Sequence, residues 1–94
     1  MRRVLVLLVA ATAACGPIEY VNQVTRTAAT SVDEARAVDA ARYAPYWWTR
    51  AIEYLHQARE QAAHANFQAA NRFGRLSTEA ANQAKADAIR RAAN

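Results

Sequence analysis

The sequence has 94 residues, a net charge of +4, 53% hydrophobic residues and a single cysteine. This length allows one small domain, so a multidomain enzyme is excluded. One cysteine excludes an internal disulfide framework, and the hydrophobic content excludes a disordered tail.

The first fourteen residues have the pattern of a secretory signal. Arg2 and Arg3 form a short basic start, and an apolar run of eleven residues follows at 4–14. A membrane-spanning helix needs about 20 apolar residues, whereas a signal peptide has a shorter apolar segment that ends in small residues. We therefore predict that 1–14 is a cleaved signal peptide. Its removal leaves 80 residues with ten basic and eight acidic side chains, a net charge of +2.

Cys15 directly follows this apolar run. The stretch Thr12-Ala13-Ala14-Cys15 resembles a bacterial lipobox, in which the cysteine is acylated and becomes the first mature residue. The alternatives are an ordinary secretory signal beside a coincidental cysteine, and a free thiol in a cytosolic protein. Acylation is favoured because a lone cysteine in an oxidising compartment has no internal partner. We predict a covalent lipid on Cys15 and no other cofactor. The residue after the cysteine is Gly16. An Asp at this position would resemble an inner-membrane retention signal, so its absence favours a location at the periplasmic face of the outer membrane.

The chain after the signal is predicted to be helical. Gly74 and Pro45 are the only helix-breaking residues after Pro17, and Ala fills 21 of the 80 positions, a composition that favours helix. Apolar residues at steps of three and four predict a first helix over about 19–44. Along the chain after the signal, 15–31 is expected to be the acylated N-terminus with a tether or an early helix, and 32–94 the Ala-rich helical domain.

Pro45 should end the first helix and begin a second one. Asn66 is a plausible cap between the second and third helices, and one continuous helix across Asn66 is the alternative. Gly74 indicates close helix packing. The predicted seams of the second and third helices are Trp48, Ala51, Leu55, Ala58, Ala62 and Ala65, then Ala70, Phe73, Ser77, Ala81, Ala84 and Ala88.

These elements predict an all-α fold of two to three antiparallel helices. A helical hairpin, a three-helix bundle and a single tetratricopeptide-like helix pair all fit the pattern. The 80 residues contain 17 bulky apolar side chains, so the core supplies a small stability margin. We expect a protein partner, a second copy or the membrane surface to add to it.

Several motifs resemble one bacterial family. They are Tyr43-Ala44-Pro45-Tyr46, Tyr54-Leu55, Ala58-Arg59, Phe67 and the Ala-rich stretch that ends near Ala88. Over 32–91 they are similar to domain-of-unknown-function family four-three-nine-eight, which occurs in short envelope lipoproteins of proteobacteria. The resemblance implies a helical, lipid-anchored envelope protein. It implies no mechanism, because the family has no established activity.

The densest aromatic cluster is Tyr43, Tyr46, Trp47 and Trp48. Successive helical residues point about 100° apart, so the two tryptophans cannot both face one seam. We expect Trp48 on the seam and Trp47 nearer the surface. Exposed aromatic side chains commonly dominate interfaces, so Tyr43, Tyr46 and Trp47 are predicted to bind a partner. The alternative is that all four side chains cap the end of the bundle.

Chemistry at a catalytic or metal site is not expected. His56 and His64 lie about 12 Å apart along a helix axis, so they cannot share an ion, and His56 with Glu60 supplies two of the four ligands that zinc requires. The acidic residues are scattered, and no nucleophile lies beside a base.

The basic residues are interleaved with acidic residues, which argues against binding to nucleic acid. The pairs Arg72/Arg75 and Arg90/Arg91 could contact lipid headgroups or peptidoglycan carboxylates.

Together the patterns predict a small, non-enzymatic, lipid-anchored adapter at the periplasmic face of the outer membrane. Its predicted partners are the membrane and an envelope protein or a second copy. The alternative is a cell-wall protein like the major Ala-zipper lipoprotein, which attaches to peptidoglycan through a terminal Lys. Lys85 lies nine residues from the end, so covalent attachment is not expected, while non-covalent contact stays open. Metal or small-ligand binding through His56 and Glu60 is a third hypothesis.

Overall fold

A computed structural model describes the backbone of residues 2–94 and the side chains of 18–94. It contains four helices: α1 (Arg2–Ala37), α2 (Ala40–Tyr43), α3 (Pro45–Ala63) and α4 (Phe67–Ala93). No strand occurs between residues 2 and 94. The all-α prediction is confirmed.

The three long helices form a bundle in which α4 packs against both α1 and α3. Helix α1 runs parallel to α4, since Glu34 pairs with Lys85 and Val24 lies against Gly74. A tight turn follows α3, and α4 then runs antiparallel to it. Among the candidate arrangements, the structure is therefore the three-helix bundle.

Alanine dominates the core. One cluster joins α1, α3 and α4 around Val32 and Leu55, and a second surrounds Ala35 and Ala88 near α2. The apolar seams predicted for the three helices are buried or half-buried along most of their length, and the exposed exception is Ala65 in a turn. Small side chains let the helices approach closely, and they also leave little apolar area to bury.

The first helix ends earlier than predicted. It stops at Ala37, not Ala44, because Asp39 adopts a left-handed conformation with φ of 60°. Aspartate tolerates this conformation better than most residues, so it breaks the helix without a glycine. A single helical turn, α2, follows the break. Ala44 then leaves the helical region, and Pro45 begins α3 as predicted.

The turn between α3 and α4 rules out one continuous helix across Asn66. Ala65 carries the left-handed conformation, with φ of 59°. Asn66 is the N-cap residue of α4 as predicted, although its side chain donates to Gln61 Oε1 at 3.0 Å and caps no backbone N–H. Left-handed alanine is strained, so packing of the two helices holds this turn.

A buried hydroxyl fixes α3 against α4. Ser77 is fully buried, and its Oγ donates to the Ala51 carbonyl oxygen at 2.9 Å. This bond satisfies the Ser77 hydroxyl, which otherwise would cost free energy to bury. It therefore sets the register of the α3–α4 hairpin.

Candidate functional site

Tyr46 is the most exposed of the predicted partner-binding residues. It lies in the first turn of α3 and keeps 62% of its surface accessible. The edge of its ring meets Trp47 at 5.1 Å between centroids, with an interplanar angle of 81°. This contact orients an exposed ring without burying it.

A tyrosine–arginine ladder continues from Tyr46 along α3. The Arg50 guanidinium lies 5.5 Å from the Tyr46 ring and 5.3 Å from the Tyr54 ring. Arg50 also donates a hydrogen bond to the Tyr54 hydroxyl at 2.6 Å. The spacing of four residues brings these side chains onto one helix face. We call Tyr46, Arg50 and Tyr54 the ladder.

Arg50 is charged at every physiological pH, as arginine side chains in proteins are. Its hydrogen bond to the Tyr54 hydroxyl, helped by nearby Tyr46 and Glu53, raises the pKa of Arg50 above its ordinary value. A guanidinium held between aromatic rings loses little additional freedom when it binds a carboxylate. The ladder therefore presents a fixed cation between two rings.

Helix α4 extends this aromatic surface. The Phe73 ring stacks on Tyr54 at 6.2 Å with an interplanar angle of 28°. Arg72 lies 5.5 Å from the Phe73 ring. The stacked rings of Tyr54 and Phe73 therefore connect the cation on α3 to the cation on α4.

Both tryptophans belong partly to the core. Trp47 and Trp48 are half-buried, and each packs against both core clusters. Arg36 covers Trp48 at 5.4 Å from the ring centroid. The expected contrast between a seam Trp48 and a surface Trp47 is not seen, because the short helix α2 adds a second apolar wall beside the start of α3.

Tyr43 is also tied into the fold. It is half-buried against the second core cluster, and its backbone carbonyl oxygen accepts a hydrogen bond from Arg91 at 2.9 Å. Arg42 lies 5.1 Å from its ring. The predicted set of Tyr43, Tyr46 and Trp47 therefore lies at one end of the bundle, with Tyr46 as its accessible member.

The histidine motif forms an exposed polar contact. His56 Nε2 lies 3.2 Å from Glu60 Oε2, while His64 lies in the turn after α3. No group of three or more potential ligands gathers among the described residues. The pair leaves both side chains largely solvated, so its contribution to stability is small.

Lys85 joins α4 to α1. Its Nζ lies 3.2 Å from Glu34 Oε2, and the lysine side chain is 40% exposed. Both partners reach solvent, so the pair contributes at most about 1 kcal/mol. Lys85 thus lies inside α4, where its amine contacts the Glu34 carboxylate of α1.

Cys15, the predicted lipidation site, lies outside the residues whose side chains are described. Within the described residues, no helix combines the length and hydropathy needed to cross a membrane.

No protein-family model, curated protein or solved structure matches the chain. The resemblance to family four-three-nine-eight stays a prediction.

Sequence reasoning missed Arg50, Tyr54 and Phe73 as parts of this surface. A signal was present, because Tyr46, Arg50 and Tyr54 follow the i, i+4, i+8 spacing of one helix face. Phe73 carries no such signal, since its contact with Tyr54 depends on the register of the α3–α4 hairpin.

Proposed function

We propose that this chain is a non-enzymatic adapter of the bacterial envelope, anchored by a lipid on Cys15. The observation that carries the adapter role is the ladder, where exposed Tyr46 and charged Arg50 are held in place outside the core. Interfaces draw much of their affinity from such aromatic and arginine side chains. The anchor rests on the lipobox-like stretch Thr12-Ala13-Ala14-Cys15.

The ladder side chains are held in place by contacts with one another, and this order supports a role in binding a partner. Arg50 contacts both tyrosines, and Tyr54 contacts Phe73 on the neighbouring helix. Side chains that are ordered before binding lose less entropy when a partner arrives. The charge on Arg50 favours a partner that offers a carboxylate between apolar groups.

Site-specific photocrosslinking in intact cells tests the adapter role. A photoreactive phenylalanine derivative replaces Tyr46, and the control position is Asn22. Asn22 is exposed on α1, outside the ladder and its extension onto α4. We expect one discrete crosslinked protein from Tyr46 and none from Asn22.

Equal crosslinking from both positions, or none from either, would contradict the adapter role. Loss of the Tyr46 crosslink in an Arg50→Gln background would support recognition through the whole ladder. Retention of full crosslinking in that background would assign the contact to Tyr46 alone.

A further inference from the structure

Two adjoining grooves lie at the end of the bundle that contains the α3–α4 turn. Residues of α1 lie beside residues of α4 about fifty positions later, as Val24 does beside Gly74. By this register the start of α4, at Phe67, lies beside α1 near Ile18. Cys15 is three residues earlier in the sequence, about 4.5 Å along a helix axis.

The first groove is mostly apolar and has a volume of about 470 Å³. It runs along the seam between α1 and α4. Its walls include Tyr20, Val24 and Thr27 on α1, with Arg75, Thr78 and Glu79 on α4. Glu79 lies one helical turn farther from the α3–α4 turn than Arg75 does, and among the described residues these two side chains form no ion pair.

The second groove is polar and has a volume of about 290 Å³. Asn66, Gln68, Ala69, Arg72 and Arg75 line it, so its charged groups are two guanidiniums and its lining contains no carboxylate. Among the side chains described over 18–94, neither Arg72 nor Arg75 forms an ion pair. Arg75 lines both grooves, so they adjoin at its side chain, with a cationic groove on one side and an apolar groove on the other.

Two exposed apolar side chains of α1 lie in this site or next to it along the helix. Ile18 is 52% and Tyr20 is 50% exposed. Tyrosine is suited to the boundary between hydrocarbon and water, because its ring is apolar and its hydroxyl is polar. The cationic groove, the apolar groove and these two side chains therefore share one end of the bundle.

We propose that the joined grooves bind one anionic phospholipid. Arg72 and Arg75 bind the phosphate through charge-assisted hydrogen bonds, and the adjoining acyl carbons lie along Tyr20 and Val24. Charge complementarity and the junction at Arg75 favour this amphiphile over a purely polar anion. The proposal rests on the proposed anchoring at Cys15, which would hold this end of the bundle against a membrane.

A titration with soluble short-chain lipids tests the site. The full chain in uncharged maltoside micelles is titrated with short-chain phosphatidylglycerol, short-chain phosphatidylcholine and inorganic phosphate, and binding is followed by NMR. We expect phosphatidylglycerol to bind about tenfold more tightly than either other probe, because it alone offers a net negative charge and an apolar chain together.

Two matched double variants assign the binding to this site. Arg72→Gln/Arg75→Gln should lose at least about tenfold in affinity for phosphatidylglycerol. Arg26→Gln/Arg59→Gln removes the same charge from exposed positions outside both grooves and should leave the affinity unchanged. Tyr20→Ser should weaken phosphatidylglycerol binding and leave phosphate binding as it was.

Several results would overturn the proposal. Equal affinity for phosphate and phosphatidylglycerol would make this a simple anion site, and equal losses in the two double variants would assign the effect to overall charge. No detectable lipid binding would remove the site. Mass spectrometry of Cys15 scores the anchor separately, so a missing acyl group with intact lipid binding would reject only the anchor.

Discussion

Gly74 allows α4 to approach Val24 of α1 more closely than any other residue could. A methyl group added at Gly74 would lie 2.6 Å from Val24 Cγ1. This distance is far below van der Waals contact, and the β-branched Val24 has few alternative rotamers in a helix. The close approach of the two helices therefore depends on the missing side chain.

Gly74→Ala should destabilise the bundle in spite of its better helix propensity. Alanine favours the helix by about 1 kcal/mol, while overpacking costs about 1 to 3 kcal/mol. Thermal melts followed by circular dichroism should show a lower Tm. In a Val24→Ala background the same change should become neutral or stabilising, because the clash is gone. A higher Tm for Gly74→Ala alone would show that the helices separate freely here.

Ala65→Gly should stabilise the turn between α3 and α4. Ala65 is left-handed, a conformation that costs a residue with a side chain about 1 to 2 kcal/mol. Part of the gain is offset by the greater freedom of glycine in the unfolded chain, so we expect about 0.5 to 1 kcal/mol. Ala86→Gly, at an exposed position in the interior of α4, is the control and should lose about 1 kcal/mol. The prediction fails if both variants melt below the parent.

Ser77→Ala should loosen the α3–α4 register. It removes the hydrogen bond from Ser77 Oγ to the Ala51 carbonyl oxygen, a buried interaction that contributes about 1 kcal/mol. Thr78→Ala is the control, because Thr78 bonds to Gly74 within its own helix. Urea unfolding should show a lower midpoint for Ser77→Ala and a near-parental midpoint for Thr78→Ala. Identical midpoints for the two variants would show that the buried hydrogen bond does not stabilise the packing of α3 on α4.

The aromatic residues should separate into structural and binding groups. Trp47→Ala and Trp48→Ala should each cost about 2 to 3 kcal/mol, less than a fully buried tryptophan. Tyr46→Ala should change stability by less than about 0.5 kcal/mol, as expected for a surface position. It should still weaken partner capture by about thirtyfold if Tyr46 is a hot spot. Denaturant melts and pull-downs measure the two effects.

The opposite results for the Tyr46 and Trp47 variants would change which residues are assigned to the contact surface. If Tyr46→Ala unfolds the protein, its edge contact with Trp47 is part of the core. If Trp47→Ala leaves the stability intact and removes partner capture, the contact surface centres on Trp47 as its sequence position suggested.

The fold could be predicted because alanine-rich seams and Pro45 are local signals. Spacings of three and four residues identified the buried positions of α1, α3 and α4, and Pro45 marked the start of α3. The break at Asp39 and the turn at Ala65 could not be read in this way. Each depends on one residue in a left-handed conformation, and alanine in particular carries no sequence signal for it.

The candidate site was predictable only in part. Tyr46 was identified because it belongs to a dense aromatic cluster, and its exposure agrees with a surface role. The unequal burial expected for Trp47 and Trp48 assumed a single seam, whereas α2 adds a second apolar wall. Contacts between helices, such as Tyr54 with Phe73, require a register that the spacing within one helix does not contain.

The anchor at Cys15 is the claim on which the proposed location depends, and it is what would bring the proposed lipid site to a membrane. Mass spectrometry of the intact protein extracted from the cell envelope tests it most directly. We expect a chain that lacks residues 1–14 and begins at a fatty-acylated Cys15. A chain that retains 1–14 and carries an unmodified Cys15 thiol would contradict it.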